Sequence, residues 1–404
     1  MRFNIFEYLT LFHILKFSHG FVFPSFMDPD TGKHLYEFME SHDWVYENHT
    51  VVSPDGYHIN AVRLPRARGE IPGNKKKPCV LLVHGYASQP QLFMVKLNDS
   101  LAMMLVEAGF DVWIMATRGC VYSLKHEFLS PKDAKYWDFS FHEVSYYDVP
   151  AYMDHIRNVT GNEKISYVGH SMGALVFLAF AATRPEYLKR IDSAHAWAPV
   201  VYNKYARTLE DERSWQEVRD EQIRKGGVKG DNEWSQLRMW LAIIFCNEKS
   251  PFLENCTGIH DRFGPDRSQV DKPKLLVHMT NEPSGSSFKT YLHFLQMHKA
   301  DRFQFYDYEL FENLKRYGRF KPPLYNLRSI SGKVPIIISY GLNDYYGGPE
   351  DFERLIAEIP GAIGHIVPWP FFNHVDFVFA KDAKTFVYND CVRMLKMYAT
   401  VTEA

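Results

Sequence analysis

Residues Lys164 to Thr183 read KISYVGHSMGALVFLAFAAT, and this stretch decides the fold of the chain. A short apolar run leads into GHSMG, residues 169–173, and a run rich in Ala, Leu and Phe follows. Strand, G-x-S-x-G and helix in that order predict a nucleophile elbow, a strained turn that holds the hydroxyl of Ser171 above the sheet edge. Side chains at either glycine of the motif would collide with the neighbouring strand and helix. The alternative is an ordinary strand-to-helix turn with an idle serine.

Strand-like runs recur on both sides of this elbow. They are continuous and apolar, which is typical of strands buried on both faces of a parallel sheet. These runs are Cys79–Val83, Val112–Ala116, Ile191–Trp197 and Val334–Tyr340. Helix-forming stretches lie between them, such as Leu101–Ala108 and Phe141–Asn158, where Asp148 and Pro150 suit a helix start. The alternation predicts an α/β fold with a mostly parallel central sheet flanked by helices. An antiparallel hairpin is expected before it, at Trp44–Val52 and Tyr57–Leu64.

The alternation breaks between Tyr202 and Phe320. This region offers helix-prone and loop stretches, and its one short strand-like run is KLLVHM at Lys274–Met279. Insertions at the carboxyl edge of a sheet commonly form lids over a site. We therefore expect one sheet domain made of residues 21–200 and 331–404, interrupted by a mainly helical cap over residues 201–330.

Composition excludes some classes of function. The chain has 404 residues, is 46% hydrophobic and 15% aromatic, and carries a formal net charge of −2. The charge gives no support for nucleic-acid binding or for a basic membrane patch. No segment after the first twenty residues has the ~18 uninterrupted apolar residues that a membrane span needs, so no transmembrane span is expected.

The N-terminus and four glycosylation motifs favour the secretory pathway. Residues 1–20 combine an early Arg2, an apolar run and a small-x-small ending, as a signal peptide does, but Glu7, His13 and Lys16 interrupt the run. The alternative is an amphipathic helix that is retained. N-x-S/T motifs begin at Asn48, Asn98, Asn158 and Asn255. Together they favour a secreted or lysosomal protein.

Five cysteines cannot all pair within the chain. Cys246 and Cys256 are close together in a loop-like region and are the best candidates for a disulfide, whereas Cys79 and Cys391 are expected in the core. No Cys or His spacing suggests a metal site, and the chemistry predicted below needs no cofactor.

A serine becomes a nucleophile when a histidine removes its proton and an acid orients that histidine. In this fold the acid ends a later strand and the histidine follows the last strand. Asp344, in GLND directly after the strand at 334–340, and His374, in PFFNHVDF, have these positions. Their rivals are weaker. Asp351 lies within the next helix, Asp376 adjoins the histidine, His365 comes too early, and His170 points into the structure from the elbow.

The tetrahedral intermediate of acyl transfer needs backbone amides that face its oxygen. One is expected from Met172, directly after the nucleophile. The other is expected from Tyr86, in the His84-Gly85-Tyr86 turn that ends the strand CVLLV. An ordinary strand-ending turn is the alternative for that second element.

Motifs along nearly the whole chain, from Trp44 to Met397, resemble those of one family. They are SPDGYHI, LLVHGYASQ, DVWIMATRG, YYDVPAYMDHI, KISYVGHSMG, AWAPV, the Cys246/Cys256 pair, PIIISYGLNDYYGGPED and FFNHVDF. The chain is similar to the acid lipase family of α/β-hydrolases, the group of gastric and lysosomal acid lipases.

The resemblance implies a secreted or lysosomal glycoprotein that hydrolyses triacylglycerols or cholesteryl esters, often at acid pH. Carried over by motif, the family's nucleophile is Ser171, its acid Asp344 and its base His374, with oxyanion positions at Tyr86 and Met172. The family usually has Leu and Gln at these last two positions. Both act through backbone amides, so the departure affects pocket shape rather than catalysis.

The expected cap departs from the family pattern. Residues 207–229 are densely charged, whereas a lid that contacts lipid needs a broad apolar face. The apolar residues that could supply this face, or else the core of the cap, are Trp234, Met239, Trp240, Leu241, Ile243, Ile244 and Phe245.

Three functions remain for this set of residues. The leading one is a serine ester hydrolase that acts on neutral lipids through an acyl-enzyme. The second is a lipid-binding or storage protein that has kept the fold and lost the chemistry, although the presence of all three triad residues argues against it. The third is acyl transfer to an alcohol instead of water, which the same residues would support.

Overall fold

A computed structural model of the chain describes residues 27–73, 76–207, 230–231, 236–330 and 332–401. The predicted signal peptide therefore lies outside the described residues, as do residues 208–229 of the charged stretch and Trp234. Among the described residues, no helix is both long enough and apolar enough to cross a membrane.

A nine-stranded sheet forms the centre of the fold. Its strands are β1 (Glu47–Val52), β2 (Tyr57–Leu64), β3 (Cys79–Val83), β4 (Asp111–Met115), β5 (Lys125–His126), β6 (Ile165–His170), β7 (Ile191–Trp197), β10 (Ile336–Tyr340) and β11 (Ile363–Ile366). The strands β8 (Gly230–Asp231) and β9 (Ser286–Ser287) form a separate two-stranded sheet. The strand order is β1-β2-β4-β3-β6-β7-β10-β11, and β5 pairs with β2. The pairs from β4 to β11 are parallel, and those made by β2 are antiparallel. The prediction of a mostly parallel sheet with an N-terminal hairpin is confirmed.

Helices cover both faces of this sheet and fill the insertion. They are α1 (Leu35–Ser41), α2 (Leu101–Glu107), α3 (Phe141–Glu143), α4 (Val149–Thr160), α5 (Met172–Thr183), α6 (Gln236–Phe245), α7 (Leu253–Thr257), α8 (Lys272–Asn281), α9 (Phe288–Ala300), α10 (Leu310–Tyr317), α11 (Pro349–Glu358), α12 (Asp376–Phe379) and α13 (Asn389–Tyr398). Two π-helical stretches, Val144–Asp148 and Lys384–Tyr388, lead into α4 and α13. Short 3₁₀ helices lie at Pro90–Phe93, Leu97–Asp99, Ala134–Trp137, Pro185–Arg190, Gly258–Arg262 and Leu327–Ile330.

The strands β3, β4, β6 and β7 supply side chains to two apolar clusters, one on each face of the sheet. In β3, Leu81 and Val83 belong to one cluster, and Val80 and Leu82 belong to the other. Successive side chains of a strand point to opposite faces, so a strand covered on both sides must be apolar throughout. This is why CVLLV reads as an unbroken apolar run.

The strand-like run KLLVHM is helical, and the expectation of a strand there is wrong. It lies within α8, which Asp271 caps by accepting a hydrogen bond from the backbone N–H of Lys274 at 3.3 Å. Pro273 occupies the first turn, where its missing N–H has no cost. These two start signals outweigh the apolar run that follows them. The small strands of the insertion are β8 and β9, which pair antiparallel.

The helix predicted over Phe141–Asn158 is present as a continuous helical stretch that begins at Phe141, where Ser140 and Glu143 form a capping box. Within this stretch, α4 begins after Asp148 with Pro150 in its first turn, but the Asp148 side chain makes no capping hydrogen bond. Asp148 is fully buried and accepts a 2.8 Å hydrogen bond from Nε of Arg118. Its carboxylate therefore pairs with a distant cation instead of capping a helix.

The insertion between β7 and β10 is mainly helical over the residues that the structure describes. A disulfide with an S–S distance of 2.07 Å joins Cys246, after α6, to Cys256 in α7. Cys79, Cys120 and Cys391 are free and buried.

Candidate active site

Ser171 lies at a sharp turn between β6 and α5. Its backbone has φ 55° and ψ −116°, and its N–H donates to the carbonyl of Trp197 at 2.8 Å. A Cβ on Gly169 would approach the carbonyl carbon of Gly173 to 2.4 Å, and one on Gly173 would approach the carbonyl oxygen of Val83 to 2.1 Å. Only glycine fits these positions, so the strained turn is held by close strand and helix contacts on both sides.

The serine, histidine and acid predicted from sequence lie within hydrogen-bonding distance of one another. Nε2 of His374 is 2.8 Å from Oγ of Ser171, and Nδ1 is 2.9 Å from Oδ2 of Asp344. A carboxylate can only accept, so Nδ1 carries the proton and Nε2 is free to accept from the serine hydroxyl. This is the arrangement that lets an imidazole remove a serine proton.

The carboxylate of Asp344 is fully buried and is fixed through its second oxygen as well. Oδ1 accepts from the backbone N–H of Tyr346 at 2.8 Å. The rival acids have other partners. Asp351 accepts from three backbone amides around the start of α11, and Asp376 accepts from the N–H of Asn373 at 2.8 Å, which closes the turn around the histidine.

The two rival histidines also lie outside the hydrogen-bonded set. His365 is inside β11, with Nε2 3.9 Å from Oδ2 of Asp390. His170 is buried, and burial lowers its pKa to about 3, so its ring is neutral. Its Nε2 lies 2.9 Å from the carbonyl oxygen of His374 and must donate to it. His170 therefore supports the backbone of the base.

The turn after β3 brings Tyr86 next to the nucleophile. A Cβ on Gly85 would lie 3.2 Å from Cβ of Ser171, so the two backbones are in close contact. Nδ1 of His84 bonds the carbonyl of Gly85 at 2.9 Å, and this contact orients the peptide that carries the Tyr86 amide. Met172 begins α5 directly after the serine. The two candidate oxyanion amides thus belong to the residue after Ser171 and to the residue after Gly85, whose backbone is in close contact with Ser171.

A backbone segment of the insertion ties the loops of the acid and the base together. The carbonyl of Phe263 accepts from the N–H of Tyr345 at 3.2 Å and from the N–H of His374 at 3.4 Å. The Phe263 ring stacks on the ring of Tyr346 with centroids 5.4 Å apart. We call Phe263 and Gly264 the clamp. Sequence analysis missed it because its partners lie far away along the chain.

Gly264 can approach these loops only because it has no side chain. At its φ of +145°, a Cβ would lie 2.2 Å from the carbonyl oxygen of Asn343 and 2.5 Å from Cβ of Asn373. These neighbours directly precede Asp344 and His374 in the chain. A side chain at Gly264 must therefore displace the residues that hold the acid and the base.

Gly264→Ala is expected to lower kcat on a dissolved short-chain ester by about 100-fold, because displacement of a catalytic group by ~1 Å costs that much. Gly318→Ala is the matched control. Gly318 also has positive φ, at +68°, but nothing lies within 4 Å of its added Cβ. Both variants should lose some thermal stability, and only the first should lose kcat. A wild-type kcat for Gly264→Ala would contradict a positioning role for the clamp.

Comparison with known sequences places the chain in a family. Residues 78–220 match the family described as alpha/beta hydrolase fold, and residues 35–97 match the partial alpha/beta-hydrolase lipase region. The chain is 31% identical over 395 residues to human gastric triacylglycerol lipase, covering 96% of this chain and 97% of that protein. The chain belongs to the lipase family of α/β-hydrolases. The resemblance drawn from the motifs is confirmed.

Other members of this lipase family show similar coverage. Human lipase member K is 32% identical over 375 residues, with 92% of both chains covered. Lipase 3 of Drosophila melanogaster is 32% identical over 371 residues, covering 90% of this chain and 92% of that protein. Among solved structures, a soluble variant of monoglyceride lipase from Saccharomyces cerevisiae aligns with a TM-score of 0.54 at 17% identity, covering 88% of this chain and 96% of that chain. This last likeness shows the α/β-hydrolase fold alone.

The described residues of this lipase family member include no group of three or more His, Cys, Asp or Glu side chains placed to hold a metal ion.

Proposed function

We propose that the protein is a serine ester hydrolase that cleaves carboxylic esters of neutral lipids, triacylglycerol or cholesteryl ester, through an acyl-enzyme. One observation carries this proposal: the hydrogen-bonded chain from Asp344 through His374 to Ser171 at a strained elbow. Membership of the lipase family supports the choice of lipid esters as substrates.

In this mechanism, Oγ of Ser171 attacks the ester carbonyl while Nε2 of His374 takes its proton. Asp344 keeps the proton on Nδ1 and stabilises the imidazolium that forms. The backbone N–H groups of Tyr86 and Met172 donate to the oxyanion. His374 then protonates the departing alcohol, and a water molecule activated by the same nitrogen releases the fatty acid from Ser171.

Activity against three substrates tests this proposal. The purified protein is expected to hydrolyse a dissolved short-chain ester and at least one of emulsified triolein and cholesteryl oleate when assayed across pH ~4 to ~8, a range that brackets the titration of an ordinary histidine. Release of fatty acid from none of them, together with lipid that co-purifies, would favour the lipid-binding alternative. Transfer of the acyl group to an added alcohol in preference to water would favour the acyltransferase alternative.

The same proposal assigns residues 201–330 to a cap that contacts the lipid substrate. Within α6, Ile243 is buried in the insertion, whereas the neighbouring side chains of Leu241, Ile244 and Phe245 are exposed, as is Phe252 beside them. These exposed residues offer an apolar face to a lipid surface. Leu241→Ser with Ile244→Ser should lower activity on emulsified triolein and leave activity on a dissolved ester unchanged. An equal loss on both substrates would count against lipid contact through α6.

We also assign the protein to the secretory pathway, as a secreted or lysosomal glycoprotein. All four candidate asparagines, Asn48, Asn98, Asn158 and Asn255, are exposed. Treatment of the protein from eukaryotic cells with an N-glycosidase should lower its mass, and an unchanged mass would count against this assignment.

A further inference from the structure

The chain between Phe303 and Tyr325 forms a projection of two paired arms, with helix α10 at its tip. Its two arms run side by side, with the N–H of Tyr325 donating to the carbonyl of Phe303 at 3.0 Å and the N–H of Phe305 donating to that of Pro323 at 2.9 Å. The rings of Phe305 and Tyr325 pack with centroids 4.6 Å apart. The helix therefore lies at the end of a well-packed stem.

The inward contacts of α10 are made by Asn313 and by Tyr317, whose ring also packs against Phe305 with centroids 5.9 Å apart. Asn313 is buried, donates to Oδ1 of Asp307 at 2.7 Å and to the carbonyl of Phe320 at 2.9 Å, and accepts from the N–H of Tyr308 at 2.9 Å. Tyr317, one turn later, donates to the carbonyl of Tyr306 at 3.0 Å. Polar contacts thus fasten the helix to its stem, and its apolar residues are left for other contacts.

Those apolar residues face outward. Phe311 is 82% exposed, and the exposed large apolar side chains on and beside α10 form what we call the tip patch. The tip patch consists of Leu310, Phe311, Leu314, Phe320 and Leu324. At 100° per residue, Leu310, Phe311 and Leu314 fall within one arc of about 100° on the helix, next to the side that holds Asn313 and Tyr317. Because all three side chains are exposed, this arc is open to contact with a partner outside the chain.

The charges around the tip patch identify the chemistry of that partner. Residues 309–321 contain four cations, Lys315, Arg316, Arg319 and Lys321, and two carboxylates, Glu309 and Glu312. Glu312 pairs with Arg316 at 2.7 Å and with Lys315 at 3.8 Å, and Lys315 is 79% exposed beside the apolar stripe. An apolar stripe bordered by cations is the pattern of helices that lie in the headgroup region of anionic membranes.

We propose that α10 docks the protein on a lipid surface that carries anionic headgroups, with the tip patch inserted among the acyl chains and Lys315, Arg319 and Lys321 at the headgroups. This inference rests on the proposed function, because a hydrolase of neutral lipids has to reach a lipid surface. The docking contact through α10 differs from the contact proposed for α6, because it needs no bound substrate and it depends on the charge of the lipid headgroups.

Co-sedimentation of the full chain with vesicles tests this proposal. The wild type should bind phosphatidylcholine vesicles that contain phosphatidylserine more tightly than vesicles of phosphatidylcholine alone. Phe311→Ser with Leu314→Ser should weaken binding about a hundredfold or more, because each buried Phe or Leu side chain contributes about ten- to a hundredfold. Phe128→Ser is the matched control, since Phe128 is 87% exposed on a different loop.

A second set of variants separates charge from insertion. Lys315→Ala, Arg319→Ala and Lys321→Ala together should abolish the preference for phosphatidylserine, because each cation near an anionic surface adds to binding. All these variants should keep wild-type thermal stability and wild-type activity on a dissolved ester. If the wild type cleaves no ester, the proposed function fails, and the vesicle result still decides on docking.

Three results would overturn the docking proposal. The first is a wild type that does not bind phosphatidylserine vesicles. The second is equal binding by the wild type and the Phe311/Leu314 double variant. The third is a wild type that is dimeric in solution together with a double variant that is monomeric, since the tip patch would then be the contact between two copies of this chain.

Discussion

Ser171→Ala is expected to lower kcat for ester hydrolysis by about 10⁶, because loss of the nucleophile removes the acyl-enzyme route altogether. The structure predicts little change in stability, since the serine is partly exposed and the turn depends on glycines 169 and 173. An alkyl phosphonate that reacts with activated serines should add covalently to the wild type and not to this variant. The mass of the intact protein reports the adduct directly.

Ser193→Ala provides the matched control for this experiment. Ser193 is fully buried on β7, the strand next to the one that carries the nucleophile, and belongs to no part of the proposed site. Its variant should keep both the adduct and kcat. If Ser171→Ala still takes up the phosphonate, another residue is the nucleophile and the proposed mechanism is wrong.

Asp344→Asn is expected to lower kcat by about 10⁴ with the fold intact. An asparagine amide can turn its N–H₂ group towards Nδ1 of His374, and the imidazole then carries its proton on Nε2, where it cannot accept from Ser171. The carboxylate is fully buried beside this ring, so water cannot replace its role. Steady-state kinetics on a dissolved ester measure the loss, and circular dichroism checks the fold.

Asp351→Asn gives the contrasting result. Asp351 is also buried after the same strand, but it accepts from the backbone amides of Lys204, Tyr205 and Gly348 and has no contact with the histidine. Loss of such hydrogen bonds should lower the free energy of unfolding by about 1–3 kcal/mol while kcat per folded molecule stays unchanged. Equal losses of kcat in the two variants would contradict the assignment of Asp344 as the orienting acid.

Local chemistry made much of the site predictable. GHSMG required a strained serine between two glycines, and the order serine, acid, histidine singled out Asp344 and His374 from several rivals. The structure brings these side chains together because both residues follow strands of a parallel sheet, and the carboxyl ends of such strands meet at one edge. The position of a residue after a strand was therefore enough to predict which side chains lie close together in space.

Where local signals competed, the same approach failed. The run at 274–279 has the composition of a strand, yet the cap at Asp271 and the proline at 273 make it a helix. Asp148 has the position of a helix cap, yet Arg118 draws its carboxylate into the core. In both places, a partner or a start signal outside the run decided the outcome.

The amino-acid sequence by itself determined the parallel sheet and the elbow and indicated the candidate serine, acid and histidine, because each depends on residue types at fixed spacing along the chain. Only the tertiary structure decided the clamp and the tip patch. The side-chain amide of Asn373 donates to the carbonyl of Gly264, 109 positions away. A contact between residues so far apart leaves no periodic pattern in the sequence from which it could be predicted. The stripe on α10 has the pattern of any core-facing helix, and its outward direction follows from Asn313, whose three hydrogen bonds hold the polar side of the helix against the protein.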